Sequence, residues 1–271
     1  MSASDKPLNR PFLKWAGNKF RILERVRSRL PAGMRLVEPF VGSGAVFLNT
    51  DYPRYLLSDS NRDLVDLYNV LKQQGEEFVG YCRALFLPEN NNEETYYRLR
   101  EEFNQTDDSI RRSALFLYLN RHGYNGLCRY NRSGRFNVPF GRYLRPYFPA
   151  VEMRAFHRKA KRAIFLHQDF GKTMSRLKAG DVVYCDPPYL PLSASANFTA
   201  YSAGGFDLNE QERLAAKARH AARSGVPVLI SNHDTPESKR IYTDCDIERF
   251  QVQRNISCNG EKRAKVGELL A

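Results

Sequence analysis

Val182-Val183-Tyr184-Cys185-Asp186-Pro187-Pro188-Tyr189 is the stretch on which the reading of this chain turns. Val182, Val183 and Tyr184 are β-branched or aromatic, as a short buried strand requires. Asp186 follows at once, and the two prolines after it cannot donate to a sheet ladder, so the strand ends there. Each proline fixes its own φ and keeps the residue before it out of the α region. The backbone after Asp186 is therefore stiff and extended, with carbonyls in fixed directions and a flat Tyr189 ring beside them. Such a cradle suits a planar amine: the Asp186 carboxylate accepts one N–H, the Pro187 carbonyl the other, and Tyr189 stacks on the heterocycle. A ring-conjugated amine is a poor nucleophile because its lone pair is delocalised. Two acceptors out of the ring plane pull the nitrogen towards tetrahedral geometry and free that pair. An Asp-Pro turn alone is common at strand ends; the Pro-Pro-aromatic continuation after an apolar strand is what points to chemistry.

Working outward, Arg35 to Ala45 reads as a strand, a turn and a helix start, with Gly42 and Gly44 where backbone must approach a ligand closely. The pattern is F-x-G-x-G rather than the full dinucleotide fingerprint, and no Walker lysine follows. Tyr55-Leu56-Leu57-Ser58-Asp59 is a second strand ending in an acid, the position that binds ribose hydroxyls in nucleoside-binding α/β folds. A helix cap is the other reading of Asp59, although Ser60 or Asn61 can serve that helix instead. Upstream, Trp15 and Lys19 flank a glycine-containing turn, and a helix is expected over Phe20 to Leu30, stopped by Pro31 and Gly33. Further strands are expected at 163–169 and 227–232, with a helix over Leu208 to Arg223. Ser193 to Asn197 reads as a small polar loop and Asn259 to Arg263 as a basic one.

Between these two blocks the alternation changes. From Leu64 to Asn104 the pattern is helical, broken at Gly75 and at Pro88 to Asn92, with helices over 93–103 and 110–121. Ser109 to Val151 contains no Asp or Glu and carries eight arginines interleaved with tyrosines and phenylalanines. Asn131-Arg132-Ser133-Gly134 reads as the tip of a β-hairpin. Arginines among aromatics suit phosphates, guanine edges and base steps; a solvated basic face is the plainer reading. The net charge of +12 and pI of about 9.5 agree with a polyanionic partner, nucleic acid first.

The 271 residues suit one α/β core carrying an insertion, and 42% apolar content sustains a packed core. No apolar run reaches bilayer length, and the N-terminus lacks the apolar core of a signal peptide. Five scattered cysteines form no C-x-x-C pair, so a zinc knuckle or redox pair is not expected and a reduced cytoplasmic chain is. No Pro-Cys dipeptide offers the thiolate needed for cytosine-C5 transfer. Transfer to cytosine N4, to RNA adenine or to protein glutamine remains open on these residues, as does a non-catalytic DNA-binding protein on a degenerate fold.

At this point the chain resembles the DNA adenine N6-methyltransferases of the Dam type, which modify adenine in G-A-T-C. The resemblance rests on 12–17 (F-L-K-W-A-G), 37–42 (V-E-P-F-V-G), 124–131 (Y-N-G-L-C-R-Y-N), 136–143 (F-N-V-P-F-G-R-Y), 186–189 (D-P-P-Y) and 231–234 (S-N-H-D), and it runs from about Phe12 to the end. Asn18 departs from the usual second glycine. The resemblance implies a Rossmann-like class I methyltransferase core, 1–61 and 150–271, with an inserted helical and β-hairpin DNA-recognition domain, 62–149. It implies S-adenosylmethionine as methyl donor and no metal. Trp15, Lys19, Asp59 and Asp186 would contact the cofactor, with Phe40, Gly42, Gly44, Asp169 and Phe170 lining its pocket. Asp186, Pro187 and Tyr189 would carry the chemistry. Lys14, Tyr124, Asn125, Leu127, Arg129, Pro139 and Arg142 would touch the four-base site on double-stranded DNA, and Arg100, Arg121, Asn131 and Asn137 the phosphates. The adenine would be flipped out, with Tyr124 or a neighbour filling the gap. A monomer in solution is expected, with more than one copy loading on DNA. The roles open to such an enzyme are mismatch repair, replication timing, gene control and protection from a partner nuclease.

Overall fold

The computed structural model describes residues 8–189, 206–253 and 265–271. The expected loops at 193–197 and 259–263, and the N-terminal six residues, lie outside them.

Seven strands form one sheet in the order β3-β2-β1-β4-β5-β7-β6. They are β1 (Arg35–Glu38), β2 (Arg54–Asp59), β3 (Ala163–His167), β4 (Asp181–Cys185), β5 (Val228–His233), β6 (Glu248–Gln253) and β7 (Lys265–Leu270). The first five are parallel; β7 runs antiparallel to both β5 and β6. β4 is wholly buried at the centre, which is why its side chains are β-branched and aromatic on both faces. Its first residue, Asp181, takes two hydrogen bonds from the Arg35 guanidinium at 2.8 and 2.6 Å and so starts β1 and β4 level with each other. Chain direction across the sheet reverses between β1 and β4, the switch point where ligands bind at strand carboxyl ends.

The helix expected over 20–30 begins as a 3₁₀ turn, Lys19–Ile22, before α1 (Leu23–Arg29). The Asn18 side chain accepts from the Phe20 amide at 2.9 Å, which tightens that first turn. Asn61, not Asp59, caps the helix after β2: its side chain accepts from Leu64 N at 3.0 Å. Asp59 is thereby left to the strand end. α2 (Ala45–Asn49) follows the glycine turn. α3 (Arg62–Gln74) and α4 (Glu76–Arg83) are separated by Gly75 at φ +55°, where a Cβ would come within 2.7 Å of His157. α5 (Glu93–Gln105) and α6 (Ser109–His122) confirm the two later helices, capped by Asn92 and Asp108. α7 (Ala150–Ala160) returns the chain to β3, and α8 (Phe170–Met174) starts on Asp169, shortening the expected strand. α9 (Leu208–Arg223) matches its expectation, and α10 (Pro236–Ile241) follows β5.

The expected β-hairpin around 131–134 has no ladder. Only the single bridges Tyr130↔Phe136 and Gly123↔Phe140 form. The Asn131 side chain accepts from the Ser133 and Arg135 amides, and so shapes the tip itself. Next to the tip the two limbs share backbone bonds, Asn131 to the Arg135 carbonyl and Asn137 to the Arg129 carbonyl, and the returning limb is held as well by α5: Asn104 takes the Phe136 amide and donates to its carbonyl, while Tyr96 and Arg100 both donate to the Val138 carbonyl. Side chains of α5 thus satisfy backbone groups that a longer ladder would have paired.

One apolar cluster runs unbroken from β2 and β3 through α3 and α7 into α4, α5 and α6; a second fills the other face of the sheet under α9. Among the described residues no helix is long and apolar enough to cross a membrane.

Candidate active site and nucleic-acid interface

A cavity of about 420 Å³ opens at the carboxyl ends of β1, β2 and β4. Trp15, Lys19, Phe40, Gly42, Asp59, Asp186, Pro187 and Tyr189 all line it, so residues from four distant segments meet where the sheet switches direction. Gly42 sits at φ +47°, and a Cβ there would lie 3.0 Å from the Trp15 ring nitrogen. Glycine is required on both counts. Gly44, Asp169 and Phe170 stand behind this wall. Gly44 opens α2 in the left-handed region; Phe170 stacks on Phe40 at 5.2 Å. Asp169 caps α8 and is held by the Arg213 guanidinium, which keeps its carboxyl below the usual range.

Asp59 receives the Gly42 amide at 3.0 Å on one oxygen and the Asn61 amide at 2.9 Å on the other. Burial pushes its pKa up and these amides pull against it. Each oxygen keeps a lone pair for a further donor, which is what a ribose diol supplies. Across the cavity, Asp186 accepts from Lys19 Nζ at 2.9 Å and from Ser231 Oγ at 3.1 Å. Burial raises its pKa, and the Lys19 ammonium opposes that rise. Lys19 Nζ also donates to the Gly17 carbonyl at 2.7 Å and stands 4.4 Å from the Tyr189 ring centroid. Tyr189 packs edge-on against His233 at 4.5 Å.

A carboxyl that the sequence reading passed over completes the wall. Glu38 ends β1, is 2% exposed, and its Oε1 has no hydrogen-bond partner among the described residues. Burial first, then the neighbouring Asp186 carboxylate, hold its pKa well above the ordinary range. An orphaned acceptor of this kind in a cavity wall fits a cationic group of a ligand. Its signal was present in V-E-P-F, an acid closing an apolar strand four residues before Gly42. A larger cavity of about 780 Å³ lies along α9, floored by Ala218, Ala222, Ile230 and Leu270, and contains none of these groups.

Next to Trp15, the chain turns outward into a basic surface. Lys14 Nζ lies 3.7 Å from the Tyr143 ring centroid and donates to the Arg121 carbonyl at 3.3 Å; its amide donates to Asn120. Gly126 packs so closely on the Lys14 side chain that a Cβ would fall 2.3 Å from it. Tyr143 hydroxyl accepts from the Asn125 amide, and the Tyr124 amide donates to the Pro139 carbonyl. Lys14, Arg121, Tyr124, Asn125 and Pro139 therefore form one knitted surface, with Tyr143 a member that the sequence reading quoted but gave no role. Asn125 and Arg142 are the two non-glycine residues at positive φ among the described residues, both at +53°. Arg129 donates to the Asn137 side chain at 2.7 Å and to its carbonyl at 3.2 Å. Arg100 is tied to Val138, and Arg121 to the Tyr147 carbonyl at 3.0 Å. Leu127 lies half-buried beside the core, and Asn131 is exposed at the tip.

A family model for D12 class N6 adenine-specific DNA methyltransferases matches residues 15–256. The chain belongs to this family. The methyltransferase is 54% identical over 97% of its length to proteins named DNA adenine methylase from Salmonella typhi and from Escherichia coli K12, covering 95% of each. A third, from Vibrio cholerae, is 51% identical over the same share. The enzyme thus methylates adenine N6 in DNA at specific sites, with S-adenosylmethionine as donor. Cytosine N4, RNA, protein glutamine and the non-catalytic alternative fall away.

The acid-free run of the methyltransferase is less basic in space than in sequence. Arg111, Arg112, Arg135 and Arg142 pair with Glu102, Asp63, Glu101 and Glu93, all contributed by helices before the run. Arg132 and Arg145 have no carboxylate within ion-pair distance among the described residues. Pairing of this kind cannot be read from one stretch, because the acids lie up to 49 residues away.

Proposed function

We propose that this enzyme methylates the adenine of G-A-T-C after rotating it out of the duplex, with Asp186, Pro187 and Tyr189 as the cradle for N6. The observation that carries the cradle is Lys19. Its ammonium, a nitrogen donor, rests on the Asp186 carboxylate beside the Tyr189 ring, the two groups expected to receive an amine. When bound, S-adenosylmethionine supplies a methyl already activated on sulfonium. Asp59 would then hold the ribose hydroxyls, Glu38 the ammonium of the methionine moiety, and Trp15, Phe40 and Gly42 the remaining walls. Asp186 in its ionised form takes an N6 proton into hydrogen bonding and orients the nitrogen lone pair; alignment of nucleophile and methyl is the main rate term.

The region 62–149 is the proposed target-recognition unit, although α3 packs on β2 and β3 as well as on α6 and so belongs to both layers. Tyr124, 47% exposed on the knitted surface, is the proposed wedge into the base stack. Arg129, exposed and oriented by Asn137, is the proposed reader of a guanine edge. Arg129→Ala is expected to cost about 1–3 kcal/mol of discrimination at one base pair, measured by competition among single-substituted duplexes. Equal weakening on every sequence would make Arg129 a phosphate clamp instead.

Lys14 gives a pH signature. Burial first, then the nearby Arg121 guanidinium, pull its pKa down to about 8. As pH rises from about 7 to about 9 the ammonium loses its proton, and a DNA contact that needs the charge weakens. DNA affinity at constant salt is expected to fall over that range in the wild type and to fall less in Lys14→Met, read by fluorescence anisotropy. Parallel slopes would remove Lys14 from the interface.

The reading as a whole is tested with labelled S-adenosylmethionine and three duplexes: G-A-T-C, the same bases scrambled, and G-A-T-C already N6-methylated on both strands. Label in the first alone is expected. Label in the first two alike would discard the G-A-T-C assignment and keep the methyltransferase.

A further inference from the structure

The Asp186-Pro187-Pro188 loop has a mechanical problem. Neither proline carries an N–H, so the loop cannot be anchored through its own backbone donors. Most of its torsions are nonetheless settled. Both proline rings fix φ, and ψ of Asp186 and of Pro187 is restricted because each precedes a proline. Within the two prolines the soft torsion left is ψ of Pro188, and together with the torsions of Tyr189 itself it decides where that ring stands relative to the Asp186 carboxylate.

A buried amide holds that torsion. Gln211, on α9 and 0% exposed, donates from Nε2 to the Pro188 carbonyl at 2.8 Å. Its Oε1 accepts from Asn232 Nδ2 at 2.9 Å and lies 3.5 Å from the Tyr242 hydroxyl. Asn232, also fully buried, uses its Oδ1 to accept the His233 amide at 2.9 Å. That bond fixes which way the Asn232 amide faces, hence which end of Gln211 is donor and which acceptor. The chain of hydrogen bonds is directional and terminates on the Pro188 carbonyl. The surroundings are apolar, with Leu214, Ala215 and Ile241 in the same cluster, so an amide here is expensive unless fully paired.

We infer that Gln211 is a positioning residue for methyl transfer: it sets ψ of Pro188 through the Pro188 carbonyl, with Asn232 as its orienting partner, and thereby fixes the Tyr189 ring over the amine site. The inference rests on the proposed cradle of Asp186, Pro187 and Tyr189.

Two substitutions test it in the full chain, with single-turnover transfer on a duplex that the wild type methylates. Gln211→Met keeps the length and removes the donor. The transfer rate is expected to fall at least about tenfold while dissociation constants for S-adenosylmethionine and DNA stay within about twofold. Gln211→Glu adds a pH readout. Burial keeps this carboxyl neutral at low pH, where its O–H can donate to the Pro188 carbonyl; on ionisation the donor is lost and two oxygens face each other. The rate relative to wild type is therefore expected to be near unity in acid and to fall as pH rises. A loss in Gln211→Glu that is equal at every pH, or a loss in either variant that follows thermal stability or binding, overturns the inference, and either variant alone suffices should the other not fold. Asp186→Ala is run in parallel. If it transfers methyl normally, the cradle itself is wrong. If it is inactive while both Gln211 variants match wild type at every pH, only the role of Gln211 is lost.

Discussion

Asp186→Ala is expected to keep its DNA affinity largely intact and to lose transfer by at least about 10²–10³-fold, the scale on which one preorganised polar group contributes in a site. The carboxylate is the acceptor nearest the amine site, and the adjacent prolines offer carbonyls but no replacement charge. The substitution also strands Lys19, whose Nζ is 2.9 Å from Asp186 Oδ1 and whose side chain is 8% exposed. A buried charge left without its partner costs stability, so the double variant Lys19→Met/Asp186→Ala separates that cost from the chemistry. It should recover thermal stability without recovering transfer. Filter-binding with labelled duplex and single-turnover methylation read the two properties separately. Full activity in Asp186→Ala would end the mechanism. The same geometry sets the acid limb of the rate. Burial raises the Asp186 pKa and Lys19 restrains it, so transfer should fall on acidification through a value above the usual carboxylate range, as the acceptor is protonated.

Phe156→Ala is expected to destabilise the fold by about 3–5 kcal/mol, the range for deleting a fully buried aromatic ring. Phe156 on α7 is 0% exposed and touches rings from four other segments: Tyr68 at 4.6 Å, Phe12 at 5.1 Å, Phe47 at 5.5 Å and Phe165 at 5.6 Å. Few cores can lose this much, since whole domains are stable by only about 5–15 kcal/mol. The position also reaches the site: a Cβ added at Gly44 would stand 3.7 Å from the Phe156 ring. Urea unfolding would show a lower midpoint at unchanged slope. A loss below about 1 kcal/mol would mean that neighbouring rings collapse into the space and that the cluster is plastic.

The local rules carried far here because they act between neighbours in sequence. A β-branched strand closed by two prolines, a glycine pair after an apolar run and an acid closing the next strand each depend on a few adjacent residues. β1, β2, β4 and β5 fall where those rules put them, and Trp15, Lys19, Phe40, Gly42, Asp59 and Asp186 meet around one cavity. β6 and β7 were missed. Phe250 and Val252 alternate with polar residues in the edge strand β6, but Gly267 interrupts β7, and six residues apiece give a weak period-two signal.

The turn at 131–134 shows the opposite limit. Its tip chemistry is legible in Asn131 and Gly134, yet beyond a single bridge its returning flank is held by side chains of α5. Which partner a backbone N–H finds depends on what the fold brings near it. Charge behaves likewise. The acid-free run from 109 to 151 reads as a continuous basic face, and half of its arginines meet carboxylates from elsewhere.

By itself, the sequence determined the strand ends, the stiffness of the D-P-P loop, the acid at the close of β2 and the kind of chemistry that an aspartate beside two prolines and a tyrosine can perform. Only the tertiary structure decided that Lys19 rests on Asp186, that Glu38 faces the same cavity with an unpaired oxygen, and that Gln211 reaches the Pro188 carbonyl from a helix 23 residues further on. The reason is physical. Torsional limits and strand patterning are local properties of the covalent chain, whereas burial, charge pairing and hydrogen-bond partners are set by whichever distant segments the packed core places within about 3 Å.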